Sequence, residues 1–424
     1  MKKVYIDVTQ LYEWQGKVTG IQRVMYEVSR RFADDKRFDP IFIIWDGSVS
    51  LFYQIDFDKI IQDREKAQHI TGSGSLKSEN KKALSADAAK RFSKKAYHVL
   101  PLSRTGRKLY LASKSKFISQ IARGNTINIE SDSILFMPHG GVWGSQTYVR
   151  EIMNLRASKG VKLVTILYDL CPVLSPQFVV EPVRIAYEKY MKKVLPKSHL
   201  ILSISKNTAE DARQWLQAEG ESKANIEVFR LGDEVSIQSP KPVDISQPYI
   251  LCVGTIEARK NHTGLYYAYK LAAAEGKQLP LVVVVGRKGW MAGDVYQLIT
   301  TDPDTKNKFK FFHDISDDEL AWLYENALFS VYPSFYEGWG LPIAESLLRG
   351  TPCLASETSS MKEIGGELVE YFSPYSPNQI KDRIEKFSTQ PKLLKDKRTQ
   401  IAKNYKATTW DTTYSQVAGF LNKA

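Results

Sequence analysis

Short, nearly uninterrupted apolar runs recur along the chain and alternate with segments whose apolar residues have helical spacing. The segments 19–32 and 206–217 show this helical spacing in the first half of the chain. Strands that are apolar on both faces and are separated by helices predict a parallel sheet covered on both sides. The strand-like runs in this half are KVYID (3–7), PIFIIW (40–45), SILFM (133–137), VKLVTIL (161–167), HLILSIS (199–205) and IEVFRL (226–231).

A segment without hydrophobic periodicity, GDEVSIQSPKPVDISQP (232–248), interrupts this alternation and is typical of a linker. The alternation then restarts, with helical patterns at 262–276, 316–327 and 341–350, and strand-like runs at 249–254, 279–286, 309–312, 327–333 and 351–355. We therefore predict an α/β protein with two doubly wound, Rossmann-like domains, 1–235 and 246–405, that face each other across a cleft. A last amphipathic helix is expected within 406–424. In such sheets, ligands bind outside the carboxyl ends of the strands.

The net charge of +12 is concentrated in one part of the chain. Between Gln62 and Arg123 there are 15 lysines and arginines against 4 acidic residues, a net of +11, and aromatic and aliphatic residues lie between them. This composition predicts a basic insertion at 62–123. It is compatible with peripheral contact to an anionic membrane or with a solvated insertion. We do not expect nucleic acid as a partner, because a nucleic-acid-binding protein would spread its positive charge over a folded face and would not confine it to one insertion.

The remaining composition narrows the class of protein. The three cysteines lie far apart in apolar settings, which argues against a disulfide framework, and the six histidines show no metal-ligand spacing. The first residues turn polar too early for a signal peptide, and the longest apolar run is shorter than the ~20 residues of a membrane span. We expect a cytoplasmic protein without a bound metal, peripheral at most on the inner face of the cell membrane.

The stretch FYEGWGLPIAESLLRG (335–350) follows a strand-like run and carries two glutamates. Glu337 is predicted to lie in the loop at the carboxyl end of the strand, where Gly338 and Gly340 allow a ligand to approach the backbone. Pro342 suits the first turn of the next helix. Glu345 is expected in that first turn, where its carboxylate could accept hydrogen bonds from a vicinal diol. The alternative is that Glu345 only stabilises the helix dipole.

The amides of Leu341, Ile343 and Ala344 are expected to point outward from the positive end of this helix, where they suit phosphate or sugar oxygens. A second stretch, VGTIEARKNH (253–262), places Arg259 and Lys260 near the start of another helix. Adjacent cations oppose the helix dipole there, whereas a bound diphosphate would make them favourable. Two exposed surface cations are the alternative.

These stretches resemble the retaining glycosyltransferases of family GT4, which have the GT-B fold. FYEGWGLPIAESLLRGTP is similar to the E-x7-E signature of that family, and GTIEARKN resembles its diphosphate-binding stretch. The segment SETSSMKEIGGELVEYFSP (356–374) adds to the resemblance. So does TWDTTY, which resembles the start of the family's tail helix, the helix that crosses back to the first domain.

The resemblance implies a role for each matching residue. Arg259 and Lys260 would hold the donor diphosphate, and Thr255 stands where many members have arginine. Glu337 would lie beside the transferred sugar, and Glu345 would hold the ribose hydroxyls. The sugar would contact the backbone of Gly338, Trp339, Gly340 and Leu341 before Pro342, and the base would lie near Gly286, Arg287 and the turn that contains His313.

Three residues of the first half complete the predicted site. Gly20, in TGIQRV, resembles the glycine-bearing loop with which the first domain of the family approaches the donor. Asp169, in TILYDLCP, is a candidate acceptor-side catalytic residue, and the alternative is that it caps a turn. His139, in MPHGGVW, is a second acceptor-side candidate beside the alternative of a structural loop histidine.

Together these features predict a retaining, metal-independent hexosyltransferase that uses a GDP- or UDP-sugar, GDP-mannose first, and needs no cofactor. The acceptor would be polyprenol-linked or another oligosaccharide in O-antigen, capsule or exopolysaccharide synthesis. Alternatives are transfer of rhamnose, glucose, galactose or GlcNAc, or a glycosyl phosphorylase or sucrose-type synthase on the same fold. Outside enzymes, the alternatives are an inactive nucleotide-sugar-binding subunit and a basic nucleic-acid-binding protein.

Overall fold

The computed structural model describes residues 1–14, 20–60, 125–221, 223–234 and 239–424. The predicted basic insertion at 62–123 lies outside the described residues, as do residues 235–238 of the predicted linker. Within the described ranges, no helix is both long enough and apolar enough to span a membrane.

The chain divides into two compact units. The first comprises Met1–Lys17 and Phe32–Leu163, and the second comprises Val18–Arg31 and Val164–Ala424. The domain boundaries predicted from the linker, near residues 235 and 246, remain a prediction.

The first sheet has seven strands in the order β3-β2-β1-β4-β5-β6-β7. Strand β5 begins in the first unit and ends in the second. Strand β3 runs antiparallel to β2, whereas β1 pairs in parallel with β2 and β4, and β6 with β5 and β7. Six of the seven strands were predicted, and β3 was missed. The strands are β1 (Lys2–Asp7), β2 (Phe38–Asp46), β3 (Leu51–Gln54), β4 (Ile134–Met137), β5 (Lys162–Leu167), β6 (Leu200–Ser203) and β7 (Ile226–Val228).

The second sheet has six strands in the order β10-β9-β8-β11-β12-β13, and its strand pairs are parallel. The order reverses between β8 and β11, so the loops that follow these two strands leave the same edge of the sheet side by side. Such a switch point is where doubly wound sheets bind ligands. The strands are β8 (Tyr249–Val253), β9 (Leu281–Val285), β10 (Phe309–Phe312), β11 (Ser330–Tyr332), β12 (Cys353–Ser356) and β13 (Glu370–Phe372).

Both faces of this second sheet are buried. Ile250 and Cys252 of β8 belong to one apolar cluster, and the alternating residues Tyr249 and Leu251 belong to another. Because successive side chains of a strand point to opposite faces, the two clusters lie on the two sides of the sheet. The nearly continuous apolar runs seen in the sequence are explained by this double coverage.

The helices include the six that the hydrophobic spacing predicts, together with short helices and with four helices of 13 or 14 residues, at 146–159, 181–194, 377–389 and 391–404, that the sequence analysis did not name. In the first half they are α1 (Thr9–Glu13), α2 (Ile21–Phe32), α3 (Gln146–Lys159), α4 (Cys171–Leu174), α5 (Glu181–Val194) and α6 (Lys206–Ala218). In the second half they are α7 (His262–Ala274), α8 (Gly293–Thr301), α9 (Asp317–Asn326), α10 (Leu341–Leu348), α11 (Met361–Gly365), α12 (Pro377–Thr389), α13 (Pro391–Asn404) and α14 (Trp410–Lys423).

The tail helix α14 contacts residues that come much earlier in the chain. The amide of Trp410 donates to Glu234 Oε1 at 2.9 Å, and Asp411 Oδ1 lies 2.6 Å from Arg31 Nε. Glu234 and Arg31 fall inside the predicted first domain and inside the second compact unit. The tail is therefore held by residues of the predicted first domain.

The loop after β9 approaches the loop after β8 so closely that one position excludes any side chain. A Cβ atom at Gly286 would lie 1.9 Å from the carbonyl oxygen of Gly254, which is backbone and cannot move aside.

We predict that Gly286→Ala lowers the free energy of unfolding by about 2–4 kcal/mol. Gly419→Ala is the matched control, because a Cβ there meets no atom within 4 Å inside helix α14. It should raise stability by about 0.5–1 kcal/mol. Urea unfolding of both variants measures the contrast, and equal stabilities would contradict it.

Candidate functional site

The two loops at the switch point of the second sheet are joined by one asparagine. Asn261 is buried and has φ +57°, in the left-handed region that asparagine tolerates. Its Nδ2 donates to the carbonyl oxygens of Pro333 and Pro374, and its Oδ1 accepts from the amide of Gly264. The residue therefore caps helix α7 and also fixes the loops that follow β11 and β13. Sequence reasoning missed it, although an Asn directly before a helical pattern is a capping signal.

Arg259 and Lys260 lie in a 3₁₀ turn, Ala258–Lys260, immediately before this cap. Both converge on the carboxylate of Glu337. Arg259 Nη1 donates to Oε2 at 2.6 Å, and Lys260 Nζ donates to Oε1 at 2.7 Å. The alternative of two exposed surface cations is wrong, because their side chains are only 19% and 12% exposed. The position is also corrected, since α7 begins at His262, after the two cations.

Glu337 is almost fully buried, with 6% exposure. Burial by itself would raise its pKa, but the positive charges of Arg259 and Lys260 outweigh burial and lower the pKa to about 2. The carboxylate is therefore ionised at neutral pH. Its amide is also fixed, donating to Ser359 Oγ at 2.9 Å.

The two cations have further partners that hold them in place. Arg259 Nη1 also donates to the carbonyl oxygen of Tyr336 at 2.8 Å, and its Nη2 donates to Glu257 Oε1 at 2.9 Å. Lys260 Nζ donates to the hydroxyl of Tyr332 at 2.8 Å. The result is a preformed group of charges at the carboxyl end of β8, with geometry fixed by backbone and side-chain bonds.

Gly338 brings Asp169 to the same place. A Cβ at Gly338 would lie 1.8 Å from the carbonyl oxygen of Tyr168 and 2.9 Å from the Cβ of Asp169, so only glycine fits. Burial raises the pKa of Asp169, and the charge of Arg259 partly opposes that rise. Asp169 Oδ1 accepts from the amide of Cys171 at 3.0 Å, so the turn-capping alternative is present in the structure.

Glu345 occupies a different environment from Glu337. It is the fifth residue of α10, so the prediction that it lies in the first turn is wrong, because the helix begins at Leu341. Its carboxylate accepts from the hydroxyl of Tyr324 at 3.2 Å and lies 3.5 Å from Arg23 Nη1. Burial raises its pKa, and the charge of Arg23 offsets only part of that rise.

The start of α10 also corrects the prediction about its amides. The amides of Ile343 and Ala344 donate to the carbonyl oxygen of Gly340, at 2.9 and 3.4 Å, and therefore do not point outward. Pro342 does lie in the first turn, as predicted. Trp339 is buried, and the guanidinium of Arg230 lies 5.6 Å from the centre of its ring system.

The residues predicted near the nucleotide base are brought together. His313 Nδ1 lies 2.8 Å from the carbonyl oxygen of Gly286, and Arg287 Nε donates to Asp314 at 3.0 Å. A Cβ at Gly289, two residues further on, would lie 2.5 Å from the Cγ2 of Thr255. The loop after β9 therefore packs against the loop that leads to Arg259.

The last two predicted residues are His139 of the first unit and Gly20, which bonds to Arg23, the partner of Glu345. In the first unit, His139 is buried, its Nδ1 accepts from the amide of Gly141 at 2.8 Å, and its Nε2 lies 3.2 Å from Asp7 Oδ2. Both ring nitrogens thus face the interior, which favours the structural alternative over a catalytic role. Gly20 is exposed with φ +54°, and its carbonyl oxygen accepts from the amide of Arg23 at 3.1 Å at the start of α2.

Residues 236–408 match the family model described as Glycosyl transferases group 1. Residues 236–408 therefore form a group 1 glycosyltransferase domain. The matched range contains the ion group of Arg259, Lys260 and Glu337, and also Glu345. The resemblance drawn from FYEGWGLPIAESLLRG is thereby confirmed.

Several curated proteins that are named as mannosyltransferases are similar to part of this chain. Serotype-specific mannosyltransferase WbdA of Escherichia coli is 27% identical over 256 residues, which cover 56% of this chain and 31% of WbdA. O-antigen chain mannosyltransferase B of Escherichia coli is 27% identical over 214 residues, 49% of this chain and 56% of that protein. The chain thus spans about a third to a half of the length of these relatives.

Solved structures with the same fold cover the whole chain. Sucrose-phosphate synthase from Thermosynechococcus elongatus aligns with 100% of this chain and 99% of its own, with a TM-score of 0.63 and 14% identity. Anabaena HepE in complex with UDP and glucose aligns with 100% of both chains, with a TM-score of 0.60 and 16% identity. These likenesses confirm the predicted GT-B class with two parallel-sheet, Rossmann-like domains.

The two glutamates of the glycosyltransferase domain should respond oppositely to neutralisation. A carboxylate with a lowered folded pKa adds stability above its unfolded pKa, near 4.5, and this stability is lost as the pH falls through about 2. We predict that Glu337→Gln lowers the free energy of unfolding by about 3 kcal/mol at pH 7. The difference from wild type should shrink steadily below about pH 4.5.

Glu345→Gln is the matched control for this prediction. Because the folded pKa of Glu345 is raised, ionisation disfavours the folded state, and stability is lost as the pH rises through the unfolded pKa. The glutamine variant should therefore be at least as stable as wild type at pH 7. Denaturant unfolding between pH 3 and pH 7 tests both variants, and a Glu337→Gln variant as stable as wild type at pH 7 would contradict the assignment.

Proposed function

We propose that this protein is a retaining glycosyltransferase that moves mannose from a nucleotide sugar, GDP-mannose first, to a lipid-linked or oligosaccharide acceptor. The group 1 domain supports the reaction class. Both relatives are named as mannosyltransferases, which supports the sugar, and one is named for O-antigen chains, which supports surface-polysaccharide synthesis.

The observation that carries the proposal is the group of charges around Glu337. Arg259 and Lys260 are adjacent, partly buried and held at the carboxyl end of β8, and each is paired with one oxygen of the same carboxylate. Arg and Lys are the side chains that bind phosphate oxygens. A diphosphate entering this site would replace the carboxylate of Glu337 as the partner of both cations.

The proposed reaction needs no metal ion. As the bond between the anomeric carbon and the diphosphate oxygen breaks, negative charge grows on the leaving group, and the two cations stabilise it. The acceptor hydroxyl attacks from the same face, forms the new bond to the anomeric carbon and gives its proton to the departing phosphate. Glu337, released from the cations, would contact the sugar hydroxyls and stabilise positive charge at the anomeric carbon.

Glu345 would hold the ribose in this scheme. A buried carboxylate whose pKa is raised by its surroundings weakens the folded state, so stability alone does not account for it. A ribose diol could donate two hydrogen bonds to this carboxylate. Arg23 and Tyr324 would keep the carboxylate ionised and oriented.

The proposed setting is the cytoplasmic face of a membrane. Its support is the sequence of residues 62–123, which carries almost all of the excess positive charge together with aromatic and aliphatic residues. Such a segment suits an anionic lipid surface, where a lipid-linked acceptor would be found.

Donor binding tests the proposal directly. Calorimetric titration with GDP-, UDP-, dTDP- and ADP-sugars should show binding of GDP-mannose, and the Lys260→Ala/Glu345→Ala double variant should weaken it by at least about a hundredfold. Lys277→Ala is the control, because Lys277 is a surface cation paired with Glu275 and Glu385. Undiminished affinity in a folded double variant would overturn the proposal.

Membrane contact has its own test. Replacing Lys81, Lys82, Lys90, Arg91, Lys94 and Lys95 with glutamine should reduce binding to vesicles that contain anionic phospholipid by more than about tenfold, since each cation near the surface contributes. Vesicles of neutral phospholipid are the control and should bind both proteins equally weakly. Unchanged binding of the variant to the anionic vesicles would show that the membrane assignment is wrong.

A further inference from the structure

Three aromatic side chains from separate parts of the chain form one array beside the ion group. The rings of Phe178 and Phe335 are stacked, with centroids 4.9 Å apart and planes 9° apart. The ring of Tyr375 lies 5.2 Å from that of Phe335. Tyr375 is 72% exposed, and the two phenylalanines are half-buried, so the array borders solvent.

The array is fixed by the same residues that fix the charges. The amide of Phe335 donates to the carbonyl oxygen of Arg259 at 2.9 Å, and Glu337 follows Phe335 by two residues. The carbonyl oxygen of Pro374, the residue before Tyr375, accepts from Asn261 Nδ2 at 2.9 Å. The backbone at Phe335 and beside Tyr375 is therefore anchored to the same turn, residues 259–261, that provides the two cations of the candidate donor site.

The core does not account for this arrangement. An exposed tyrosine by itself is ordinary, but three rings brought together from three segments at the edge of a charged site are not required for packing. Aromatic rings offer a flat face with partial negative charge, which attracts the weakly positive C–H groups on one face of a pyranose ring. The hydroxyl rim of the same sugar can bond to nearby polar groups.

We propose that Phe178, Phe335 and Tyr375 form a subsite that binds a sugar ring of a saccharide acceptor. This inference rests on the proposed function, since it presumes transfer of a sugar at Glu337. A saccharide fits the position better than a polyprenyl chain, because Phe335 bonds to Arg259 and lies two residues from Glu337 in the chain. An apolar chain would remove water from these charged groups without offering them hydrogen bonds, whereas sugar hydroxyls offer such bonds.

The experiment measures acceptor and donor binding separately on the full chain. Saturation-transfer NMR with mannobiose, in the presence of saturating GDP, gives the affinity for a saccharide, and calorimetry gives the affinity for GDP. Tyr375→Ala should weaken mannobiose binding by about threefold to tenfold and leave the affinity for GDP unchanged. Tyr375→Phe, which retains the ring, should stay within about twofold of wild type.

Tyr267→Ala is the matched control, because Tyr267 is an exposed tyrosine on α7 with 48% exposure. It should bind mannobiose as wild type does. Equal mannobiose affinity in Tyr375→Ala and wild type overturns the subsite, and so does a wild type that binds GDP but no mannobiose. Weaker binding of farnesyl phosphate by Tyr375→Ala, with mannobiose binding intact, assigns the array to lipid and also overturns it. A wild type that binds no nucleotide counts against the proposed function instead.

Discussion

One buried carboxylate between two adjacent cations determines the arrangement of the candidate site. Glu337 binds Arg259 and Lys260 through its two oxygens, and removing any one of the three would leave an uncompensated charge in a nearly dry position. The geometry originates in Asn261, which caps α7 and bonds to the loops after β11 and β13. Asn261 and Glu337 therefore hold together the turn before α7, the start of α7 and the loops after β11 and β13.

The two glutamates of the E-x7-E stretch have opposite effects on the stability of the fold. Glu337 is stabilised by its cations, so its pKa is lowered, whereas burial raises the pKa of Glu345 beyond what Arg23 corrects. A buried side chain that destabilises the folded state is expected at positions where function requires it. Glu337 alone could be explained as a structural ion pair. Glu345 is a second reason to expect a polar ligand at this end of the sheet, because its ion pair with Arg23 does not offset the effect of burial on its pKa.

The sequence predicted the elements well and the contacts between them poorly. Strands buried on both faces are visible as apolar runs, so the second sheet was predicted completely except for the short β13. Strand β3, LFYQ, was missed because four residues are too few to show a period, although three of them are aliphatic or aromatic. Arg259 and Glu337 were singled out by their types and neighbours. Their pairing, the role of Asn261 and the stacking of Phe178 on Phe335 depend on distant segments meeting, which local periodicity does not encode.

Under the proposed function, Glu337 can contact the sugar only after the diphosphate has bound to Arg259 and Lys260. Arg259 and Lys260 each bind one oxygen of Glu337, and these ion pairs compete with bonds from the carboxylate to sugar hydroxyls. A diphosphate that binds both cations would release the carboxylate of Glu337. Separating the ion pairs costs free energy and lowers the affinity for the donor. In return, Glu337 becomes available to the sugar only when a leaving group is in place. A free sugar supplies no anion for that exchange. The arrangement therefore discriminates against sugars without a diphosphate through electrostatics alone.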